Sequence, residues 1–184
     1  TTLEFRARGT FAPLTDMVGG GPFHLAPGQW TDDTSMALCL ATSLVECGEF
    51  NARDQMERYC RWHESGYLSS TGRCFDIGNT VMAALRRYRQ SGEPYAGSSD
   101  PFTAGNGSIM RLAPIAICYY PDEALACHYA AESSRATHAA LECLDACRLL
   151  AAILLRALGG ASKEQILCGP APAGLSASKI IAIA

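Results

Sequence analysis

The chain has 184 residues, 48% of them hydrophobic and 18% charged, a composition that fits one domain with a sizeable core and excludes general disorder. A formal charge of −3, with Lys and Arg scattered apart from Arg86, Arg87 and Arg89, leaves no basic footprint for a nucleic acid. The longest apolar run, LLAAILL at 149–155, falls far short of the ~20 residues that cross a bilayer, and no charged-then-apolar leader opens the chain, so the expected setting is cytoplasmic, away from membranes. Nine cysteines, an odd number set mostly in apolar helical patterns, predict free buried thiols in a reducing compartment. Cys143 and Cys147 would share a helix face with His138 or Cys127 completing a zinc site, but there is no C-x-x-C, and core packing is the simpler reading.

In chain order, residues 1–30 are rich in Gly and Pro without a sustained period and predict a long irregular loop, a kind of segment that often carries function. A helix over 34–47 is apolar around most of its circumference, predicting burial, and Gly48 closes it. A more polar helix follows over about 52–64, ending at Gly66. In FDIGNTVMAALRRYRQSG, residues Ile77, Val81, Leu85 and Tyr88 recur at helical spacing, with Asp76 near the N-terminus on the inward side. A Gly/Ser/Pro loop over 91–107 leads to SIMRLAPIAICYY, an apolar helix that Pro114 should kink or break. Pro121 should open a helix to about residue 135. An apolar helix over 139–158 has Glu142, Asp145 and Arg148 as its polar stripe, and a short helix over 162–168 follows. No segment alternates with a two-residue period, so the fold class is all-α. Residues 1–168 form a single domain, and 169–184, of linker composition with a small apolar end, predict a weakly ordered tail.

The residues that suggest chemistry begin with Thr31, Asp32, Asp33 and Thr34 in PGQWTDDTSMALCL. A helix start needs one capping oxygen, and four in a row exceed that need. At a non-helical start the backbone can curl and aim successive oxygens at one point, and a hard cation such as Mg²⁺, Mn²⁺ or Ca²⁺ suits that donor set. The alternative is a cap whose acids complement the helix dipole, and this stretch alone leaves both open. Further candidates are Glu4 among apolar neighbours, Asp76 in FDIGNT, and AGNGSIMRLAP, whose small residues allow backbone N–H groups to converge on a phosphate. His24, His63 and His128 have no motif around them and read as surface or packing residues.

Taken in order, PGQWTDDTSMAL, DIGNT, GNGSIMRLAP and RATH resemble the ADP-ribosylglycohydrolases, with the nearest likeness to the dinitrogenase reductase-activating branch. The resemblance runs from LEF at residue 3 to about residue 160. It implies a compact orthogonal helical bundle, incomplete here at both ends, with a binuclear Mg²⁺ or Mn²⁺ centre. It also implies hydrolysis of the glycosidic bond between ADP-ribose and a modified protein side chain, with arginine expected. Carried over by motif, Thr31, Asp32 and Asp33 would bind one metal, Glu4 would sit at or beside the second, and Asp76 would face the ribose. Glu4, Asp32, Asp33 and Asp76 would be the catalytic carboxylates. Asn79, Asn106, Gly107, Ser108 and Met110 would contact the substrate, with Gly20, Gly21, Phe23 and His138 lining the cleft.

Two elements of the family pattern are missing: a G-D-A-L-G-like segment before LEF, and a later G-D-x-D-T, since residues 169–184 contain no Asp or Glu. A two-cation cluster would then lose its bridging charge. The alternative expectation is a catalytically inactive ADP-ribose-binding remnant or a truncated fragment.

Overall fold

The computed structural model describes residues 2, 3 and 5–184. Eight helices carry the described chain: α1 Asp32–Cys47, α2 Ala52–Ser65, α3 Asn79–Ser91, α4 Ala113–Tyr119, α5 Glu123–Arg135, α6 Leu141–Leu158, α7 Lys163–Leu167 and α8 Ser178–Ile181. A 3-10 turn at Pro101–Thr103 interrupts the long loop before α4. Among the described residues there is no strand, only isolated bridges between Gly20 and Leu25 and between Ser98 and His138, and no helix is long and apolar enough to cross a membrane.

Local chemistry sets the helix ends. Asn51 accepts from Asp54 N–H at α2, Asp122 from Leu125 N–H at α5, and Ser162 with Gln165 forms a capping box at α7, each satisfying a backbone donor that the helix leaves orphaned. α1 stops at Gly48, whose φ of 74° returns its N–H to Leu44 O, a left-handed turn that costs glycine little.

The core has two main apolar clusters, and α1 supplies both. Met36 and Cys39 pack with Met56, Tyr59 and Trp62 of α2 and with Val81, Ala84 and Leu85 of α3. Leu40 and Leu44 pack with Ile115 of α4, Cys127 and Ala130 of α5, and Cys147, Ala151 and Ala152 of α6. The alanines at the α5–α6 contact carry little side-chain bulk, which permits close approach of the two backbones. Arg58 ties α2 to α1, its guanidinium 2.6 Å from both Asp54 and Glu46.

The structure corrects several expectations. α1 begins at Asp32, ahead of residue 34, and is not buried all round: Met36, Cys39, Leu40 and Leu44 face inward at helical spacing while Val45 is 82% exposed. Pro114 neither kinks nor breaks a longer helix but sits in the first turn of α4, where its missing N–H costs nothing. α5 opens on the Asp122 cap rather than on Pro121.

Asp145, expected on a polar stripe, is fully buried. It accepts from Arg148 Nη1 at 2.6 Å and from the backbone N–H groups of Ser176 and Ala177 at 2.7 and 2.6 Å. Burial pushes its carboxyl up, but the hydrogen bonds from Ala177, Ser176 and Arg148 outweigh this and hold it below its ordinary value. The segment after α7 is thereby clasped to α6. Asp145→Ala should destabilise the chain by about 2–4 kcal/mol, since it strands buried donors and one cation. Urea unfolding would show this as a lower midpoint, and trypsin should cut at Lys179 faster than in the parent chain.

Candidate active site

The first turn of α1, the turn into α3, the 105–110 segment and His138 enclose a cavity of about 260 Å³. One wall carries Asp32, Asp33 and Asp76, and the rest includes Asn79, Asn106, Gly107, Met110 and His138, all of them predicted from the sequence. Gly78, Thr80, Val81 and Gly105 also line it. The first two lie inside or beside DIGNT and Gly105 inside AGNG, so the motifs marked the place though not each residue.

The segment leading into α1 is anchored across the surface. Trp30 Nε1–H donates to Leu68 O at 3.3 Å and Ser70 Oγ–H to Trp30 O at 2.6 Å. Thr31 is extended at φ −95° and makes no side-chain cap. Its hydroxyl, 8% exposed with the rest of the residue, instead donates to Asp33 Oδ2 at 3.1 Å. The two adjacent aspartates therefore both reach the cavity. Asp76 precedes α3 with φ of 60°, a left-handed conformation that Asp tolerates better than most residues.

Concentrated acid has an electrostatic consequence. Burial, followed by the charges of Asp33 and Asp76, pushes the Asp32 carboxyl up from 3.8 to about 7. On the other side, burial and then the nearby Arg111 guanidinium push His138 down to about 4, so its ring is neutral at physiological pH. Glycine is required at 107, because a Cβ there would stand 2.7 Å from His138 Cε1 and 3.3 Å from Val81 Cγ2.

Other predicted residues are placed differently. Ser108 is 3% exposed and does not line the cavity: its Oγ lies 2.8 Å from Ser134 Oγ and accepts from Cys147 Sγ–H at 3.5 Å, turning it toward the α5–α6 core. Gly20 and Gly21 adopt positive φ in a tight turn closed by reciprocal Gly20–Leu25 hydrogen bonds. That turn is not part of the cavity lining, and Phe23 packs edge-on against Phe75, ring centroids 5.3 Å apart. Glu4 lies outside the described residues. Among the described residues no three His, Cys, Asp or Glu side chains are grouped to hold a metal ion. The hard-oxygen chemistry of Thr31, Asp32 and Asp33, and the repulsion that raises Asp32, fit a hard divalent cation.

An all-α scaffold that faces a carboxylate wall with a glycine-rich turn defines a polar cleft suited to an oxygen-rich ligand. A profile of the ADP-ribosylglycohydrolase family matches residues 1–177, and the chain belongs to that family. It is similar to the ADP-ribosylarginine hydrolase Tri1 of Pseudomonas putida, with 49% identity over 167 residues, 91% of this chain and 45% of that protein. It is also similar to the ADP-ribosyl-[dinitrogen reductase] glycohydrolase of Rhodospirillum rubrum, with 38% identity over 63% of this chain and 38% of that one. A solved structure described as an ADP-ribosylglycohydrolase-related protein complex superposes with a TM-score of 0.69 at 46% identity, covering 86% of this chain and 50% of that one. The chain thus spans about half the length, or less, of the relatives it matches.

The folded Asp32 keeps its proton up to about pH 7, whereas the unfolded chain releases it near 3.8. Its contribution to stability is therefore full below about pH 4 and is lost as pH rises through 7. Without divalent cations, Asp32→Asn should raise Tm at pH 8 by about 2–8 °C and change it little at pH 4. A thermal-shift series across that range checks it.

Proposed function

We propose that this protein hydrolyses the glycosidic bond between ADP-ribose and a modified arginine side chain. The observation that carries the reading is the single cavity in which Asp32, Asp33 and Asp76 face Gly107 and His138, in a chain 49% identical to a protein named as an ADP-ribosylarginine hydrolase. Thr31, Asp32 and Asp33 would hold one Mg²⁺ or Mn²⁺. Bound there, a hard cation would supply a template for ribose hydroxyls and a polarised water. A second ion is expected for the family, with Glu4 as its candidate ligand.

The chain's own residues account for the remaining steps. Cleavage at the anomeric carbon builds positive charge on the ribose, which the Asp76 side of the acidic wall stabilises. A carboxylate of the same wall accepts the proton of the attacking water. The N-terminal turn of α3 and the Gly105–Gly107 segment line the cavity, and N–H groups at a helix start favour a diphosphate. The nine thiols, all free, suit a reducing, cytoplasmic setting.

A second reading is ADP-ribose binding without turnover. The two readings separate in one experiment, release of ADP-ribose from an ADP-ribosyl-arginine peptide with Mg²⁺ and with EDTA. Hydrolysis predicts Mg²⁺-dependent release that Asp32→Asn lowers about 10²–10⁴-fold. Calorimetric binding of ADP-ribose with no release selects the second reading.

A further inference from the structure

Arg111 is fully buried and forms no ion pair with an acid among the described residues. Its guanidinium lies 4.6 Å over the Tyr59 ring, its Nη2 donates to Ser133 O at 3.2 Å and to Thr137 Oγ1 at 2.8 Å, and its Nε has no partner. A buried cation held without a counter-charge is costly, so its place is informative. It sits behind His138, and Thr137 stands between them.

A guanidinium only donates, so Thr137 Oγ1 accepts from Arg111. Among the described residues, the other hydrogen-bonding neighbour of that hydroxyl is His138 Nδ1, at 2.9 Å. Thr137 is fully buried; if Nδ1–H donated to it, the hydroxyl proton would be stranded without an acceptor, which buried groups avoid. The hydroxyl must therefore donate to a bare Nδ1. The ring proton is then on Nε2, the atom that Gly105 and Gly107 leave room for: a Cβ on Gly107 would come within 3.1 Å of it. The backbone at His138 is held as well, since its N–H donates to Ser134 O at 2.7 Å.

We propose that Arg111 and Thr137 are positioning residues that hold His138 as the neutral Nε2–H tautomer, a fixed hydrogen-bond donor to an oxygen of the ligand in the cavity. The ligand's identity as ADP-ribose rests on the function proposed above; the tautomer does not. The nearby Arg111 charge also opposes formation of an imidazolium, so the donor persists unchanged at neutral pH. Replacing the threonine hydroxyl removes the hydrogen bond that marks Nδ1 as the bare nitrogen.

The test is long-range ¹H–¹⁵N NMR of the whole 184-residue chain with labelled histidine, His138 being assigned by a His138→Gln variant. The expected result at pH 7 is the Nε2–H pattern in the parent chain, its retention in Thr137→Ser, and its loss to Nδ1–H or a mixture in Thr137→Val. A parent ring found as Nδ1–H or as imidazolium overturns the proposal even if Thr137→Val does not fold. So does an unchanged pattern in folded Thr137→Val. In parallel, ADP-ribose affinity measured by calorimetry should fall about tenfold in Thr137→Val, the scale of one hydrogen bond to a charged group, and recover in Thr137→Ser. Equal affinity in Thr137→Val and the parent chain overturns the positioning role. If the parent chain binds no ADP-ribose, the hydrolase reading fails, and the NMR pattern still decides the tautomer.

Discussion

Everything in this molecule depends on α1 being gripped from two sides. Its residues Met36 and Cys39 belong to one apolar cluster and Leu40 and Leu44 to the other, so the helix can neither rotate nor slide without opening both. That grip is what allows two adjacent carboxylates to sit at its first turn despite mutual repulsion. The electrostatic cost of gathering Asp32, Asp33 and Asp76 is carried by packing at a distance from the acids themselves.

The site has two contrasting halves. On the acidic side, charge is concentrated and proton-hungry; on the opposite side, a buried cation and a neutral imidazole stand behind a turn of glycines. A ligand with anionic and hydroxyl oxygens at separate ends finds a complementary environment at each. Gly107 is the point at which the halves come closest to touching the ligand space, since even a methyl group there meets the imidazole.

The all-α class and most helices were legible in the sequence because their apolar residues recur at 3.6-residue spacing and their ends carry recognisable stops such as Gly48 and Gly66. The cavity wall was legible because its residues fall in compact motifs. What the sequence hid depends on contacts far apart in the chain. Asp145 has the spacing of a surface acid and is buried only because residues 176–177 return to it. Val45 reads as core and is exposed, at the rim of a groove that it shares with Pro114 and Ile117 of α4. Ser108 sits in the motif predicted to contact the substrate, yet Ser134 of α5 turns it inward. Arg111 and Thr137 stood inside GNGSIMRLAP and RATH, but only three-dimensional placement shows that they meet at His138.

The tie between Trp30 and the turn at 66–73 has a consequence for dynamics. Gly66 and Gly72 touch so closely that a Cβ on Gly66 would stand 2.3 Å from the Gly72 carbonyl, and the same turn holds the Trp30 carbonyl through Ser70. The chain then runs only a few residues further to Asp76. The approach to Asp32 and the approach to Asp76 are thus two ends of one short closed circuit. Loosening the Ser70 contact would therefore loosen the support of both approaches at once, so the carboxylates at the two ends are coupled through the backbone.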